Sequence, residues 1–107
     1  MASKEIYVDI DKTICKTDGM NYEEAIPIEE NIRVINNLYE KGHNITYWTA
    51  RGTKSGINFF EVTEQQLRNW GAKYHSLKMG KPAYDLLIDD KAINNISEIE
   101  LFLNLLS

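Results

Sequence analysis

Two hydrophobic periods alternate along this chain, one suited to strands and one to helices. Residues 6–10, Ile-Tyr-Val-Asp-Ile, form a β-branched and aromatic run that ends among carboxylates, which predicts a buried first strand. Residues 13–27 carry Thr17-Asp18-Gly19-Met20-Asn21 and close on Pro27, the composition of a turn-rich excursion. Ile28, Ile32, Ile35, Leu38 and Tyr39 then recur at helical spacing with Gly42 as the stop, so a helix is predicted with its apolar stripe on a sheet. Ile45-Thr46-Tyr47-Trp48-Thr49 predicts a second strand, running into the loop Arg51-Gly52-Thr53. Residues 57–70 predict a second helix, with Ile57, Phe60, Leu67 and Trp70 apolar, Gly71 as the stop, and Val62-Thr63 lowering its propensity midway. A short strand near 73–77, a loop over 78–82, a strong strand at 84–88 and a closing helix over 96–106 complete the pattern. Strands alternating with helices predict an α/β fold: a central parallel sheet, right-handed crossovers and helices on both faces. Ligands of such sheets sit beyond the carboxyl ends of the strands.

Composition narrows the class. The 107 residues predict one domain, 1–107, without repeat or linker. Twelve Lys+Arg against 16 Asp+Glu give a net charge of −4, which argues against gripping a nucleic-acid backbone by bulk charge. The single cysteine, Cys15, excludes an intramolecular disulfide and reads as a small buried filler. His43 and His75 lack a third ligand nearby in sequence and read as surface or strand-edge residues. The first residues lack the apolar core of a signal peptide, and nowhere do about 18 apolar residues run together. The expectation is a cytoplasmic protein with neither nucleic acid nor membrane as partner.

Candidate chemistry clusters at the predicted strand ends. Asp9 and Asp11 lie two apart, so their side chains share one face where a buried strand stops. Charges there are costly unless a cation, hydrogen bonds or a shifted protonation state offsets them, and Mg²⁺ is the natural cation. One carboxylate could attack phosphorus while the other moves the leaving group's proton. A strand end re-entering water accounts for the pair equally well on its own. Asp89 and Asp90 end the predicted strand 84–88 in the same way, and the recurrence favours a shared dication over two coincidences. Thr49, with the backbone N–H groups of Ala50 and Arg51, could hold a phosphoryl oxygen. Lys81, before Pro82, is the favoured counter-cation; Lys78 is the alternative, and a solvated loop lysine is the plain reading of either.

Asp9-x-Asp11-x-Thr13, then Thr49, then a loop lysine, then Asp89-Asp90 resembles the four-motif order of the haloacid dehalogenase superfamily. The stretch Gly-Lys81-Pro82-x-x-Asp85-x-x-Ile88-Asp89-Asp90-Lys91-Ala92 is similar to its short capsular-polysaccharide biosynthesis phosphatases. The resemblance implies a three-layer Rossmann-like domain, sheet order 4-1-2-3 with strands numbered along the chain, and residues 14–22 as a flap. It implies Asp9 as nucleophile, Asp11 as acid/base, and Thr13, Thr49, Ala50, Arg51 and Lys81 on the substrate. Mg²⁺ would be held by Asp9, the Asp11 carbonyl and Asp89, with Asp90 close by. The implied activity is hydrolysis of a phosphomonoester such as a sugar phosphate. A phosphotransferase or mutase, or a receiver-like Mg²⁺-binding module, is the alternative. The start of a P-type ATPase motif at Asp11-Lys12-Thr13 is not completed by Ile14-Cys15.

One departure from the family stands out: Lys12 occupies a position commonly Gly, adding a cation near the pocket and restricting the backbone. The gaps between motifs leave no room for a cap domain, so the site is expected to be open, with a homo-oligomer completing it. Tyr22, Trp48, Phe59 and Phe60 are candidates for such a contact, or for core.

Overall fold

A computed structural model of the protein describes residues 3–99. The first strand, β1 (Glu5–Val8), leads through a turn into a small antiparallel pair, β2 (Cys15–Lys16) and β3 (Ile26–Pro27), joined across Cys15 and Pro27. Helix α1 (Glu29–Glu40) follows, then β4 (Asn44–Trp48), α2 (Phe60–Asn69) and β5 (Ser76–Lys78). The result is a small α/β domain built on a parallel three-stranded sheet of order β1-β4-β5. Register runs from Glu5 opposite Asn44 to Val8 opposite Tyr47, and from Thr46 opposite Ser76 to Trp48 opposite Lys78.

Helix α1 forms as its periodicity predicts, burying Ile32, Ile35 and Leu38 and ending at Gly42, whose φ of 95° stops it. These side chains join Val8, Ile10, Ile14, Ile45, Tyr47 and Leu67 in one core. Helix α2 departs from its predicted face: Ile57 and Phe60 are exposed, while Thr63, Gln66 and Leu67 are buried. The polar pair turns inward to meet Arg51, described below.

Residues 84–88, predicted as a fourth strand, carry no strand pairing, and Leu86, Leu87 and Ile88 are exposed. Among the described residues β1 therefore keeps an open outer edge, with Tyr7 53% exposed upon it. The reason lies just upstream. The Lys81 N–H donates to the Thr49 carbonyl (3.0 Å) and the Thr53 hydroxyl donates to the Lys81 carbonyl (2.8 Å), so the chain is drawn across the end of β4 before Pro82 redirects it. Of the closing helix predicted over 96–106, the described residues hold a 3₁₀ turn, Ile96–Glu98; residues 100–106 lie outside them. No described helix is long and apolar enough to cross a membrane.

Candidate active site

Asp9 directly follows β1, where the chain leaves the sheet. The Lys81 ammonium stands 3.6 Å from its Oδ1, with that carboxylate side chain 39% exposed and the lysine 14%. Burial lifts Asp9 above the ordinary carboxylate value, the Lys81 charge and the Ile10 N–H pull against it, and the Asp11 charge adds to the rise. The same ammonium lies over the rings of Trp48 (5.8 Å) and Tyr84 (5.3 Å). Lys78 instead donates to the Tyr7 hydroxyl at 3.0 Å, so the structure sets Lys81, not Lys78, against Asp9.

Asp9 and Lys81 open onto a cleft of about 390 Å³ lined also by Ala50, Lys54, Tyr84 and Asp85, with Pro82 and Ala83 between. Its second cation is Lys54, which sequence reasoning missed; the only signal was a lysine in the Gly-containing loop after Thr49. The expected extra cation, Lys12, is exposed and does not line this cleft. Its backbone nonetheless takes up the glycine-like conformation: at φ 68° Lys12 is the only left-handed non-glycine among the described residues.

Thr49 is buried at the end of β4 and its hydroxyl accepts the Arg51 N–H at 3.1 Å. Gly52 makes the following turn possible: at φ +83°, a Cβ there would meet the Ile57 carbonyl oxygen at 2.0 Å. Thr13 lies in the turn after Asp11, its N–H donating to the Ile10 carbonyl (3.1 Å) and its carbonyl accepting from Asn31 on α1 (2.8 Å).

Arg51 differs from its predicted role. Its side chain is fully buried and faces the interior, where Nε and Nη2 grip both oxygens of Asp11 at 3.0 and 2.9 Å. Nη1 donates to Thr63 (3.1 Å) and Gln66 (2.6 Å), so the guanidinium is committed to the protein and not to a substrate. Its backbone N–H is likewise taken, by Thr49. Asp11 also accepts from Thr17 and Cys15. Burial alone would raise Asp11, but the hydrogen bonds from Arg51 and Thr17 hold it below the ordinary carboxylate value. Cys15 is buried and its thiol pushed up to about 11, chiefly by that burial, in keeping with a filler rather than a nucleophile. His43 and His75 accept backbone N–H groups, of Lys4 and Ile45, through Nδ1 (3.1 Å each); His43 is buried rather than at the surface.

The expected Mg²⁺ set of Asp9, Asp11, Asp89 and Asp90 is not assembled. No group of three or more acidic, histidine or cysteine residues suited to a metal occurs among the described residues. Asp89 and Asp90 are exposed, at a turn where Asp89 accepts the Lys91 N–H (2.9 Å), because residues 84–88 do not run beside β1. As placed, with Asp89 and Asp90 exposed at their own turn and away from Asp9 and the Asp11 carbonyl, the expected donors do not come together around an ion.

Fold and site together define a small α/β domain whose charged residues gather beyond the carboxyl ends of parallel strands. No family model and no curated protein matches the chain. Among solved structures it is similar to a Vibrio cholerae protein, 22% identical over 99% of this chain and 100% of that one, with a TM-score of 0.79. It is also similar to chains of the Pnkp1/Rnl/Hen1 complex (21% identity, 95% of this chain, 34% of that chain, TM-score 0.60) and of the Pnkp1/Rnl/Hen1 RNA repair complex (21%, 95%, 32%, 0.59). The chain thus spans about a third of the latter two, and at these identities the likeness is one of fold.

Proposed function

We infer that the protein is a phosphomonoester hydrolase working through an aspartyl phosphate on Asp9. The observation that carries this reading is the Asp9 carboxylate at a strand end, 3.6 Å from the Lys81 ammonium, on the wall of an open cleft. An Asp9 oxygen attacks phosphorus, the bond to the leaving oxygen breaks, and Lys81 offsets the phosphoryl charge. Asp11, the carboxylate that Arg51 favours, takes a proton from the water that cleaves the acyl phosphate, and the acid so formed gives that proton to the leaving alkoxide of the next turnover. Asp11 is not itself a wall of the cleft, so it would act from behind Asp9.

Mg²⁺ belongs to the proposal, together with the three-layer form and a fourth strand. Residues 84–88 pairing with the open edge of β1 would add a fourth parallel strand beside β1 in the sheet β1-β4-β5, the order the resemblance implies, and bring Asp89 and Asp90 toward Asp9. The cleft's size suits a sugar phosphate or a comparable polar ester, and a second copy of the chain would cover it. A phosphorylated nucleic-acid end is a second substrate class, suggested by the neighbour within an RNA repair complex; the net charge of −4 weighs against it. Phosphate release from sugar phosphates, nucleoside monophosphates and p-nitrophenyl phosphate, with Mg²⁺ or EDTA, tests the reading. Turnover lost in Asp9→Asn is the expected result; a fully active Asp9→Asn enzyme refutes it, and persistence in EDTA refutes the metal. Phosphoryl transfer to added alcohols in place of water would favour the transferase alternative.

A further inference from the structure

Arg51 is an unusual buried cation because nothing in its fork is left over. The guanidinium has five N–H bonds. Nε meets Asp11 Oδ2; Nη2 meets Asp11 Oδ1 and, at 3.8 Å, Cys15 Sγ; Nη1 meets Thr63 Oγ1 and Gln66 Oε1. The Tyr22 ring lies 4.9 Å from the guanidinium carbon, and Gln66 also donates to the Tyr22 carbonyl at 2.6 Å. Acceptors from the Asp11 turn, β2 and α2 therefore converge on one planar group. A planar fork met on every donor has a single orientation, and so does the carboxylate it grips side-on.

The two Asp11 oxygens are not equivalent. Oδ1 accepts from Arg51, Thr17 and Cys15, which fills it, whereas Oδ2 accepts only the Arg51 Nε–H. We propose that Arg51 is the positioning residue of the acid/base Asp11, anchored from α2 by Thr63 and Gln66, and that Oδ2 is the oxygen that exchanges the proton. This rests on the phosphatase reading above. Arg51 does not line the cleft; it acts through Asp11, by denying the carboxylate any other rotamer.

The test is a double-mutant cycle read with p-nitrophenyl phosphate, whose good leaving group keeps residual rates measurable. Arg51→Lys keeps the charge and loses the side-on fork, so kcat should fall by about tenfold to a hundredfold with KM within about twofold. In an Asp11→Asn background the same change should cost less than about twofold, because the group it positions no longer works. Gln66→Leu, which removes one anchor and leaves Asp11 untouched, gives a milder second route should Arg51→Lys fold poorly: a several-fold loss in kcat that also vanishes in Asp11→Asn. Equal losses in both backgrounds, or a rise in KM at constant kcat, overturn the proposal while leaving the phosphatase standing. A wild-type protein with no turnover overturns the phosphatase reading and this proposal with it.

Discussion

Replacing Lys12 by glycine should stabilise the protein. Lys12 sits at φ 68°, where a side chain's Cβ crowds the following carbonyl at a cost of about 1–2 kcal/mol. Glycine removes that cost but gives back about 0.5–1 kcal/mol through the greater freedom of the unfolded chain. The net gain is about 0–1.5 kcal/mol, with about 0.75 kcal/mol as its centre. Little is lost in exchange: the Lys12 side chain is exposed, and the local hydrogen bond, Lys12 N–H to the Cys15 carbonyl at 2.8 Å, belongs to the backbone. For a domain of this size the central gain corresponds to a rise in Tm of about 3–6 °C. Thermal and urea unfolding of the wild type, Lys12→Gly and Lys12→Ala separates the contributions. Alanine removes the same charge while keeping the left-handed strain, so it should stay within about 0.5 kcal/mol of the wild type. Glycine no more stable than alanine would refute the argument.

Three further outcomes follow from the same geometry. Gly52→Ala places a Cβ 2.0 Å from the Ile57 carbonyl oxygen at positive φ, and should cost about 3 kcal/mol or more in urea unfolding; a loss below about 1 kcal/mol would mean the loop is not held as described. Attack by Asp9 needs the carboxylate, so kcat/KM should rise with pH through a limb lying above the ordinary value of 3.8. Because the Lys81 charge pulls that value down, Lys81→Met should move the limb to higher pH as well as slow the reaction; a limb that stays or falls would contradict the pairing. With its thiol near 11 and buried, native Cys15 should resist a disulfide reagent at pH 8 and react only on unfolding, as a stopped absorbance assay in and out of urea would register.

Legibility in the sequence followed where local composition and long-range partner agree. The runs at β1 and β4 are readable because their β-branched and aromatic composition names a strand, and the stripe of Ile32, Ile35 and Leu38 on α1 because its period decides which face is buried. Residues 84–88 have the composition of a strand, but a strand also needs a neighbour, and the hydrogen bonds that tie Lys81 to Thr49 and Thr53 act against it. Helix α2 hid its inner face because Thr63 and Gln66 look like solvent residues until a buried arginine is placed opposite them. The carboxylate pair and Lys81 were visible as types of chemistry. That Arg51 would turn inward to hold Asp11 was not, since nothing local distinguishes a cation awaiting a phosphate from one already paired.

The edge of β1 left open among the described residues makes protein concentration a variable of the fold itself. Its outward N–H and C=O groups are the same template whether approached by residues 84–88 of its own chain or by an extended segment of another molecule. Intramolecular pairing is independent of dilution and intermolecular pairing is not, so crowded copies compete with the chain's own tail for one row of hydrogen-bonding groups. The exposed Leu86, Leu87 and Ile88 offer apolar surface that either union would bury, set against the hydrogen bonds that hold Lys81 to Thr49 and Thr53. Were residues 84–88 to take that edge, Asp89 and Asp90 would move with them, and the state of association would then decide where those carboxylates lie.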